Sequence, residues 1–315
     1  MVRTVEWRRP AETLLRILGV AVAYYATGRL GLLLHVSVEG AVVTPLWLPT
    51  GIALAGLLWF GPRIWPGLAL GTYLAIERLS SFGPDDLGII VGNTLGPLCA
   101  YALLRRVGFR PELDRLRDGL ALVFLGGLVP MLLSATTGTW TLVSTGDLPL
   151  RSFWPVWSAW WAGDTMGVLL VTPLLLVLRR ARLPRDPYRV AEAAALAVSV
   201  GGVTLAATRS SLSLLFLVFP LLIWAAVRFR LPGSAPCALL VSVLAITAAT
   251  DRAGPFAGHT LLEVMVNLQA LNGAAALTAL LLAALVTEQD NVRMKIEEVC
   301  EDLADVVARL APPKD

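Results

Sequence analysis

The stretch W-S-A-W-W-A-G-D-T-M-G-V-L-L-V-T-P-L-L-L-V-L, residues 157–178, decides the fold class of this chain. Asp164 is the one charged side chain among its 22 residues. As an α-helix with a rise of about 1.5 Å per residue, the stretch would be roughly 33 Å long. The hydrocarbon core of a bilayer is about 30 Å thick and is crossed by about 20 mainly apolar residues. The stretch therefore predicts a transmembrane helix with a carboxyl group inside the membrane.

Nine further apolar stretches accompany this one. They are residues 13–34, 43–60, 63–80, 87–105, 118–143, 189–207, 212–228, 234–250 and 264–286. Of the 315 residues, 56% are hydrophobic and 16% are charged, and the mean hydropathy is +0.70. This composition excludes an ordinary soluble globular domain. We predict an all-α polytopic membrane helical bundle of about ten transmembrane helices, followed by a short cytoplasmic coiled-coil helix.

Three segments follow from this pattern. Residues 1–11 are predicted to form a cytoplasmic N-terminal tail, residues 12–288 the integral-membrane domain, and residues 289–315 a cytoplasmic coiled-coil connector.

Arginine clusters alternate with arginine-poor loops along the chain. The clusters are Arg3, Arg8, Arg9 and Arg16; Arg63; Arg105, Arg106, Arg110, Arg115 and Arg117; Arg179, Arg180, Arg182, Arg185 and Arg189; and Arg228 and Arg230. The intervening loops hold at most one arginine each, namely Arg78, Arg151, Arg209 and Arg252. Because cytoplasmic loops are enriched in Lys and Arg, both termini are predicted to face the cytoplasm from a multi-pass inner (plasma) membrane protein. The net charge of +3 then reflects orientation, and we predict no binding of nucleic acid.

Polar side chains recur at a similar depth in six of the stretches. With this orientation they fall in the outer half of the membrane and comprise Arg29, Thr50, Glu77, Asn93, Asp164, Asn267, Gln269 and Asn272. Asn93 and Asp164 would each lie about 10 Å below the outer end of their helix. A charged side chain in hydrocarbon costs a few kcal/mol or more unless it faces a partner or a wet cavity. Arg29 and Asp164 carry opposite charges at similar depth, so we predict that they pair.

Two interpretations of this polar layer stay open. One is a ligand or signal pocket open to the extracytoplasmic side, because ionisable residues inside a membrane usually serve a function. The other is a polar seam that only holds helices together. Trp47, Trp160 and Trp161 lie at the same level, and aromatic rings beside a carboxylate could hold a cation or an organic ligand. They could equally be packing residues, and Pro49 fits the first turn of a helix.

The sequence carries no catalytic or metal-binding pattern. Cys99, Cys237 and Cys300 form no CxxC pair and have no neighbouring histidine, so no metal site is predicted. A P-loop, an HExxH motif and a nucleophile–base set are also absent from the sequence. We therefore predict no catalytic residues, no cofactor and no enzymatic activity.

Six sequence strings, in order, resemble one family. The strings W-L-P-T-G-I-A-L-A-G-L-L-W-F-G-P-R-I-W-P-G at 47–67 and V-G-N-T-L-G-P-L-C-A at 91–100 precede the pattern W-x-x-W-W-x-G-D-x-x-G-V-L-L-x-x-P-L-L-L at 157–176. The others are F-P-L-L-I-W-A-A-V-R-F at 219–229, G-P-F at 254–256 and Q-A-L-N-G-A-A-A-L-T-A-L-L-L-A-A-L-V-T-E at 269–288. Together they are similar to the membrane-associated sensor domain of the first MASE class over residues 12–290.

The resemblance implies an input module of bacterial signalling proteins, usually followed by a diguanylate cyclase, a histidine kinase or a phosphatase. It also implies that the family's most characteristic positions are Trp47, Pro49, Gly51, Asn93, Trp160, Gly163, Asp164 and Gly167. It implies no particular ligand. This chain departs from the family pattern at Leu48, where many members have proline, and at Gly96–Pro97, which replaces a segment that often carries a carboxylate.

The C-terminal segment has the spacing of a connector. Its apolar residues fall in alternating steps of four and three at Val292, Ile296, Val299, Leu303, Val306 and Leu310. This spacing predicts the seam of a short left-handed coiled coil and hence a homodimer. The alternative is an amphipathic helix that lies on another surface, because the repeat is short.

These observations predict a bacterial membrane input domain. It would detect an extracytoplasmic or membrane-borne signal and pass a helix movement through its C-terminal coil. The expected partners are membrane lipid, a second copy of the chain, a cytoplasmic output domain or partner protein, and an unidentified small-molecule or protein signal. The alternative is a secondary transporter with two inverted repeats of five helices each.

Overall fold

The computed structural model describes residues 3–33, 35–77, 83–179, 186–210 and 214–310, without the side chains of 3–10, 84, 85 and 308–310. The helices are α1 (Arg3–Leu32), α2 (Leu48–Phe60), α3 (Trp65–Ile76), α4 (Pro84–Arg106), α5 (Leu116–Ala121), α6 (Val129–Thr145), α7 (Phe153–Met166), α8 (Thr172–Leu178), α9 (Pro187–Arg209), α10 (Val218–Thr250) and α11 (Leu261–Leu310). Strands β1 (Val36–Val38) and β2 (Ala41–Val43) form an antiparallel hairpin. The chain is therefore all-α apart from this hairpin, within the residues described.

Six helical segments of the described residues are long and apolar enough to cross a membrane. They are Asp86–Arg106, Leu116–Thr145, Leu150–Leu178, Pro187–Arg209, Leu215–Thr250 and Leu261–Val307. The described part of the chain therefore does not support the prediction of about ten transmembrane helices. The ten stretches become six because the first three are not among these segments and because the eighth and ninth fall in one helix.

Short helices and charged residues account for the first three stretches. Helix α2 has 13 residues and α3 has 12, so each is only about 20 Å long or less and cannot span the hydrocarbon alone. Gly61, with φ of 79°, ends α2, and Pro62 opens the short turn that leads to α3. In α1, Arg16 and Arg29 leave only 12 uncharged residues between them.

The eighth and ninth stretches are joined at a break. Helix α10 runs for 33 residues, but Arg230 has the non-helical angles φ 58° and ψ −152°, which divide it into segments 218–229 and 231–250. Pro232 follows the break, at a position where its missing N–H costs least. A positive φ is unusual for an arginine and needs support from its surroundings.

Helix packing centres on α2, α4 and the segment from α6 to α8, against which α10 and α11 lie. Leu54, Leu104, Leu170 and Leu222 are fully enclosed there. Two π-helical turns, Leu122–Leu128 and Gly167–Val171, interrupt the long segments that contain α6 and α7. Such turns occur often at functional sites in helices.

A smaller cluster joins α1 to α2 and α3. Val20, Tyr24, Leu57 and Leu68 are buried in it. Gly67 lets α3 approach α1 closely, because a Cβ there would lie 2.4 Å from the backbone oxygen of Ile17. The hairpin β1–β2 follows α1 in the chain and leads into α2.

Helix α11 continues without interruption for 50 residues, out of the bundle and into the predicted connector. The side chains of Val292, Ile296, Val299, Leu303 and Val306 are all exposed, between 49% and 64%. The helix extends to Leu310, whose side chain lies outside the described residues. The coiled coil itself stays a prediction.

Several arginines used for the orientation fall beyond the described residues. These are Arg78, Arg180, Arg182 and Arg185, together with the side chains of Arg3, Arg8 and Arg9. The orientation of the termini also stays a prediction.

Candidate functional site

The carboxyl group of Asp164 is the centre of a buried hydrogen-bond network. Asp164, on α7, is 1% exposed. Thr50, on α2, donates its hydroxyl to Oδ1 at 2.6 Å, and Ser134, on α6, donates to Oδ2 at 2.7 Å. The Ser134 oxygen also lies 3.0 Å from Oδ1 of Asn93, on α4. The network therefore joins four helices, α2, α4, α6 and α7.

Ser134 has one hydroxyl proton and two oxygens within reach. Asp164 and Asn93 compete for this proton, because a serine hydroxyl donates one hydrogen bond at a time. A change at Asp164 Oδ2 therefore changes the hydrogen bond available to Asn93.

Glycines bring Thr50 within reach of Asp164. A Cβ at Gly163 would lie 2.3 Å from the backbone oxygen of Thr44, and a Cβ at Gly167 would lie 2.0 Å from that of Trp47. A Cβ at Gly51 would lie 2.3 Å from the backbone oxygen of Gly167. These distances leave no room for side chains, so the segment from Thr44 to Gly51 lies directly on α7.

Backbone and side-chain hydrogen bonds hold this contact. The amide of Trp47 donates to the backbone oxygen of Gly163 at 3.0 Å. Thr172 donates its hydroxyl to the backbone oxygen of Gly51 at 3.2 Å. Pro49, buried near the start of α2, lies against α1 beside Gly28.

A cavity of about 300 Å³ opens next to the network. The hairpin segment from Gly40 to Thr44 forms one wall, and α4 and α7 contribute to the others. Four of the residues predicted from the sequence line it, namely Trp47, Asn93, Trp160 and Asp164. Thr50 is not among the lining residues but donates its hydroxyl to Asp164, which is.

Two further carboxylates line the cavity. Asp86, near the start of α4, is 3% exposed, and its Oδ2 accepts the Gly83 amide at 2.8 Å. Asp147, in the loop between α6 and α7, is exposed. Among the described lining residues, none is a lysine, an arginine or a histidine. The described wall of the cavity therefore carries acidic side chains and no basic ones.

Two buried polar atoms beside the cavity lack a hydrogen-bond partner among the described residues. They are the hydroxyl of Tyr24, which is 0% exposed, and Nε1 of Trp47. Tyr24 lies close to Thr72, Trp47 and Asn93 but is not among the residues that line the cavity. Buried polar atoms are usually paired with protein, water or ligand, and of these two residues Trp47 lines the cavity.

Several predicted pocket residues lie elsewhere. Arg29, Glu77 and Asn267 are exposed. Trp161 stacks on Trp157 with ring centroids 6.0 Å apart and donates its indole N–H to the backbone oxygen of Leu128 at 2.8 Å.

The predicted ion pair between Arg29 and Asp164 is not formed. Both carboxylate oxygens of Asp164 accept hydroxyl hydrogen bonds, and the Arg29 side chain is exposed. Arg29 and Asp164 were predicted to lie at a similar depth, but their side chains are on sides of their helices that do not face each other.

The polar residues of α11 act differently from one another. Gln269 donates its Nε2 to the backbone oxygen of Pro45 at 2.9 Å, and its Oε1 is buried without a partner. Asn272 is 0% exposed, and neither its Nδ2 nor its Oδ1 has a partner among the described residues. Gln269 thus ties α11 to the segment that leads into Trp47.

Sequence reasoning missed Ser134, Tyr24, Asp86 and Asp147. Asp86 stands directly before the fourth apolar stretch, so its depth in the membrane could have been estimated by counting residues. Ser134 gave little signal, because a helical serine usually bonds to its own backbone. The described residues contain no group of three His, Cys, Asp or Glu side chains that could hold a metal ion.

Comparisons with known proteins identify a family and a relative. The family model for MASE1 matches residues 15–290. The chain is 31% identical over 209 residues to the probable diguanylate cyclase DgcE of Escherichia coli (strain K12). The aligned region covers 62% of this chain and 18% of that protein. The chain thus spans less than a fifth of the length of this curated relative. No solved structure matches. The match over most of its length shows that this chain belongs to the MASE1 family of membrane-associated sensor domains.

Proposed function

We propose that this chain is a membrane input domain that detects a ligand in the Asp164 cavity and passes a helix movement to a cytoplasmic output domain or partner. The observation that carries the proposal is the cavity beside a buried carboxylate that joins four helices. MASE1 membership and the similarity to a probable diguanylate cyclase support an output of the cyclase type. A histidine kinase or a phosphatase would serve the same role.

The network gives the ligand a means of acting. A ligand that donates a hydrogen bond to Oδ2 of Asp164 competes with the Ser134 hydroxyl. The displaced hydroxyl then donates to Asn93 instead. The relative energies of two packings of α4, α6 and α7 would change accordingly. A ligand shifts such an equilibrium only by its difference in affinity for the two states.

The path from the cavity to the cytoplasm passes through α11. Thr44 and Trp47 line the cavity, and Pro45 between them accepts the hydrogen bond from Gln269. From Gln269, α11 runs unbroken to the connector. A displacement of the segment around Pro45 would therefore act directly on a rigid helix that ends in the cytoplasm.

The connector completes the proposal. Exposed apolar residues at heptad spacing favour pairing with a second copy of the chain, which would make the domain a homodimer. In this proposal, residues 12–288 form the sensor, residues 289–315 the coil, and both termini face the cytoplasm from the inner membrane.

Output of the whole signalling protein tests this function. The protein would carry its native output domain, or a cyclase fused after Leu310. Thr50→Val removes one donor to Asp164, whereas Thr204→Val removes an equally buried hydroxyl that bonds only to Val200 in its own helix. We expect Thr50→Val to change output by about fivefold or more and Thr204→Val to leave it unchanged. Equal effects of the two substitutions would contradict the proposal.

A further inference from the structure

We propose that an anionic phospholipid binds in the groove between α9 and α10, with its phosphate at the arginines of one end and an acyl chain along the rest. The groove has a volume of about 960 Å³ and shares no lining residue with the Asp164 cavity. The inference goes beyond the proposed function, because it concerns a second site. It gives the membrane lipid that was expected as a partner a charge and a place.

The break at Arg230 sets the direction of the groove. Arg228, at the end of the first half of α10, pairs with Glu192 on α9. In the second half of α10, Leu240 lies beside α9, because a Cβ at Gly201 would be 3.8 Å from its side chain. The second half therefore runs alongside α9 in the same direction, away from the end that holds the arginines.

Positive charge is confined to that end of the groove. Arg189, Arg228 and Arg230 line it, and no acidic side chain occurs among the described lining residues. Glu192 accepts Nε of Arg228 at 2.8 Å and its Nη2 at 2.9 Å, and Asp290 pairs with Arg230. Three guanidinium groups thus face two carboxylates, which leaves an excess of positive charge.

Two of the arginines are placed to bind one phosphate. Arg189 is exposed at the start of α9, and both Arg189 and Arg228 lie close to Glu192. The pair with Glu192 uses Nε and Nη2 of Arg228, so its Nη1 lies outside that pair. Guanidinium groups bind phosphate through charge-assisted hydrogen bonds. A phosphate beside these two side chains would balance the excess charge.

Beyond the arginines the groove is lined by apolar and small side chains. These are Ala193, Leu196 and Ala197 on α9 and Pro236, Cys237 and Leu240 on α10. The second half of α10 rises by about 14 Å from Leu231 to Leu240, which is close to half of the roughly 30 Å hydrocarbon core. The apolar part therefore has the length of an acyl chain in one leaflet.

The groove is open to the membrane. Helix α9 is the least enclosed of the six candidate membrane segments, and Ala197 and Pro236 are exposed. A lipid can therefore enter sideways from the bilayer. Basic pockets between transmembrane helices favour anionic headgroups, whereas a free phosphate ion would use the arginines and leave the apolar part empty.

Native mass spectrometry of the purified full chain tests the inference. The probes are phosphatidylglycerol and phosphatidylcholine with identical acyl chains, offered at equal concentration. We expect the chain to retain phosphatidylglycerol about fivefold more than phosphatidylcholine. Inorganic phosphate at the same concentration should not displace the bound lipid, because it lacks the acyl chain.

Charge variants locate the headgroup. Arg189→Gln should remove most of the preference for phosphatidylglycerol. Arg209→Gln is the matched control, because Arg209 is an exposed arginine at the opposite end of the same helix and does not line the groove. It should bind both lipids as the unaltered chain does.

Size variants locate the acyl chain. Ala197→Phe should fill the apolar part of the groove and weaken the binding of phosphatidylglycerol without any change in charge. Ala195→Phe is its control, since Ala195 is exposed on α9 but does not line the groove. Both alanines are exposed, so neither phenylalanine enters the packed interior.

Four results would each overturn the inference. They are equal retention of the two lipids, equal effects of Arg189→Gln and Arg209→Gln, equal effects of Ala197→Phe and Ala195→Phe, and displacement of the lipid by inorganic phosphate. A dimer that Ala197→Phe separates would also overturn it, because the groove would then be a contact between two copies of the chain.

Discussion

Arg230 and Asp290 form an ion pair between the break in α10 and the point at which α11 leaves the bundle. Nε of Arg230 donates to Oδ2 of Asp290 at 2.8 Å, and the guanidinium makes a second contact with the same oxygen. Two residues earlier, Glu288 accepts the backbone amide of Leu116 at 2.9 Å. These contacts hold α11 against α5 and α10 immediately before Val292, the first residue of the predicted seam.

The first prediction concerns this exit contact. Asp290→Asn should change basal output, because it loosens α11 where movement passes to the coil, yet it should lower stability by less than about 1 kcal/mol, since the pair is partly exposed. The control is Arg293→Gln, which breaks the i,i+4 pair with Glu297 on the same helix beyond the bundle. Cyclase or kinase activity and thermal unfolding in detergent measure the two effects. Similar output changes from both variants would show that the exit contact has no special role.

The second prediction tests the helix phase. Inserting about seven residues between Asn291 and Val292 should largely keep the seam in register, while inserting about four should rotate it away and alter output. Activity of the output domain is the measurement. Identical output from both insertions would contradict transmission through the coil. Uptake of a substrate that survives deletion of residues 290–315 would favour the transporter alternative.

The third prediction compares two glycines. Gly167→Ala should destabilise the protein by about 1–3 kcal/mol, because the new Cβ would lie 2.0 Å from the backbone oxygen of Trp47. Gly202→Ala, on α9, meets nothing within 4 Å and should stabilise its helix by roughly 0.5–1 kcal/mol. Thermal unfolding of both variants in one detergent is the comparison. A Gly167 variant as stable as the unaltered chain would mean that α2 and α7 are less closely packed than described.

The fourth prediction is the orientation of the chain. After removal of Cys99, Cys237 and Cys300, new cysteines at Ser37, Gly146 and Gly258 should react with an impermeant reagent applied to intact cells. A cysteine at Arg110 should react only after permeabilisation, because arginine-rich loops stay in the cytoplasm. Labelling of position 110 in intact cells would reverse the predicted orientation.

Depth along a helix could be predicted from the sequence, but rotation about its axis could not. Counting residues placed Thr50, Asn93 and Asp164 at one level, and the structure joins them in one network. Arg29 and Asn267 were assigned to the same level, yet both face outward. Their stretches are apolar on most sides, so the hydrophobic period says little about which side faces a neighbouring helix.

The helix count failed for a related reason. A window of average hydropathy treats the stretches around Gly61 and Arg230 alike, although the first contains two short helices and the second a broken long one. Continuity of α11 was predictable, since no proline or glycine follows Gly273 before the end of the helix.

The glycine contact between α2 and α7 determines which parts of the cavity can change shape. Backbone atoms meet there at Gly51, Gly163 and Gly167 without intervening side chains, so the two helices cannot slide past each other by a residue without a collision. Thr44 and Trp47 from one side of this contact, and Asp164 from the other, line the cavity. The opposite wall is the hairpin β1–β2, which turns at Gly40 with φ of 90° and has open space around that residue. A change in the shape of the cavity would therefore be a displacement of the hairpin relative to this contact, which would itself move as one unit.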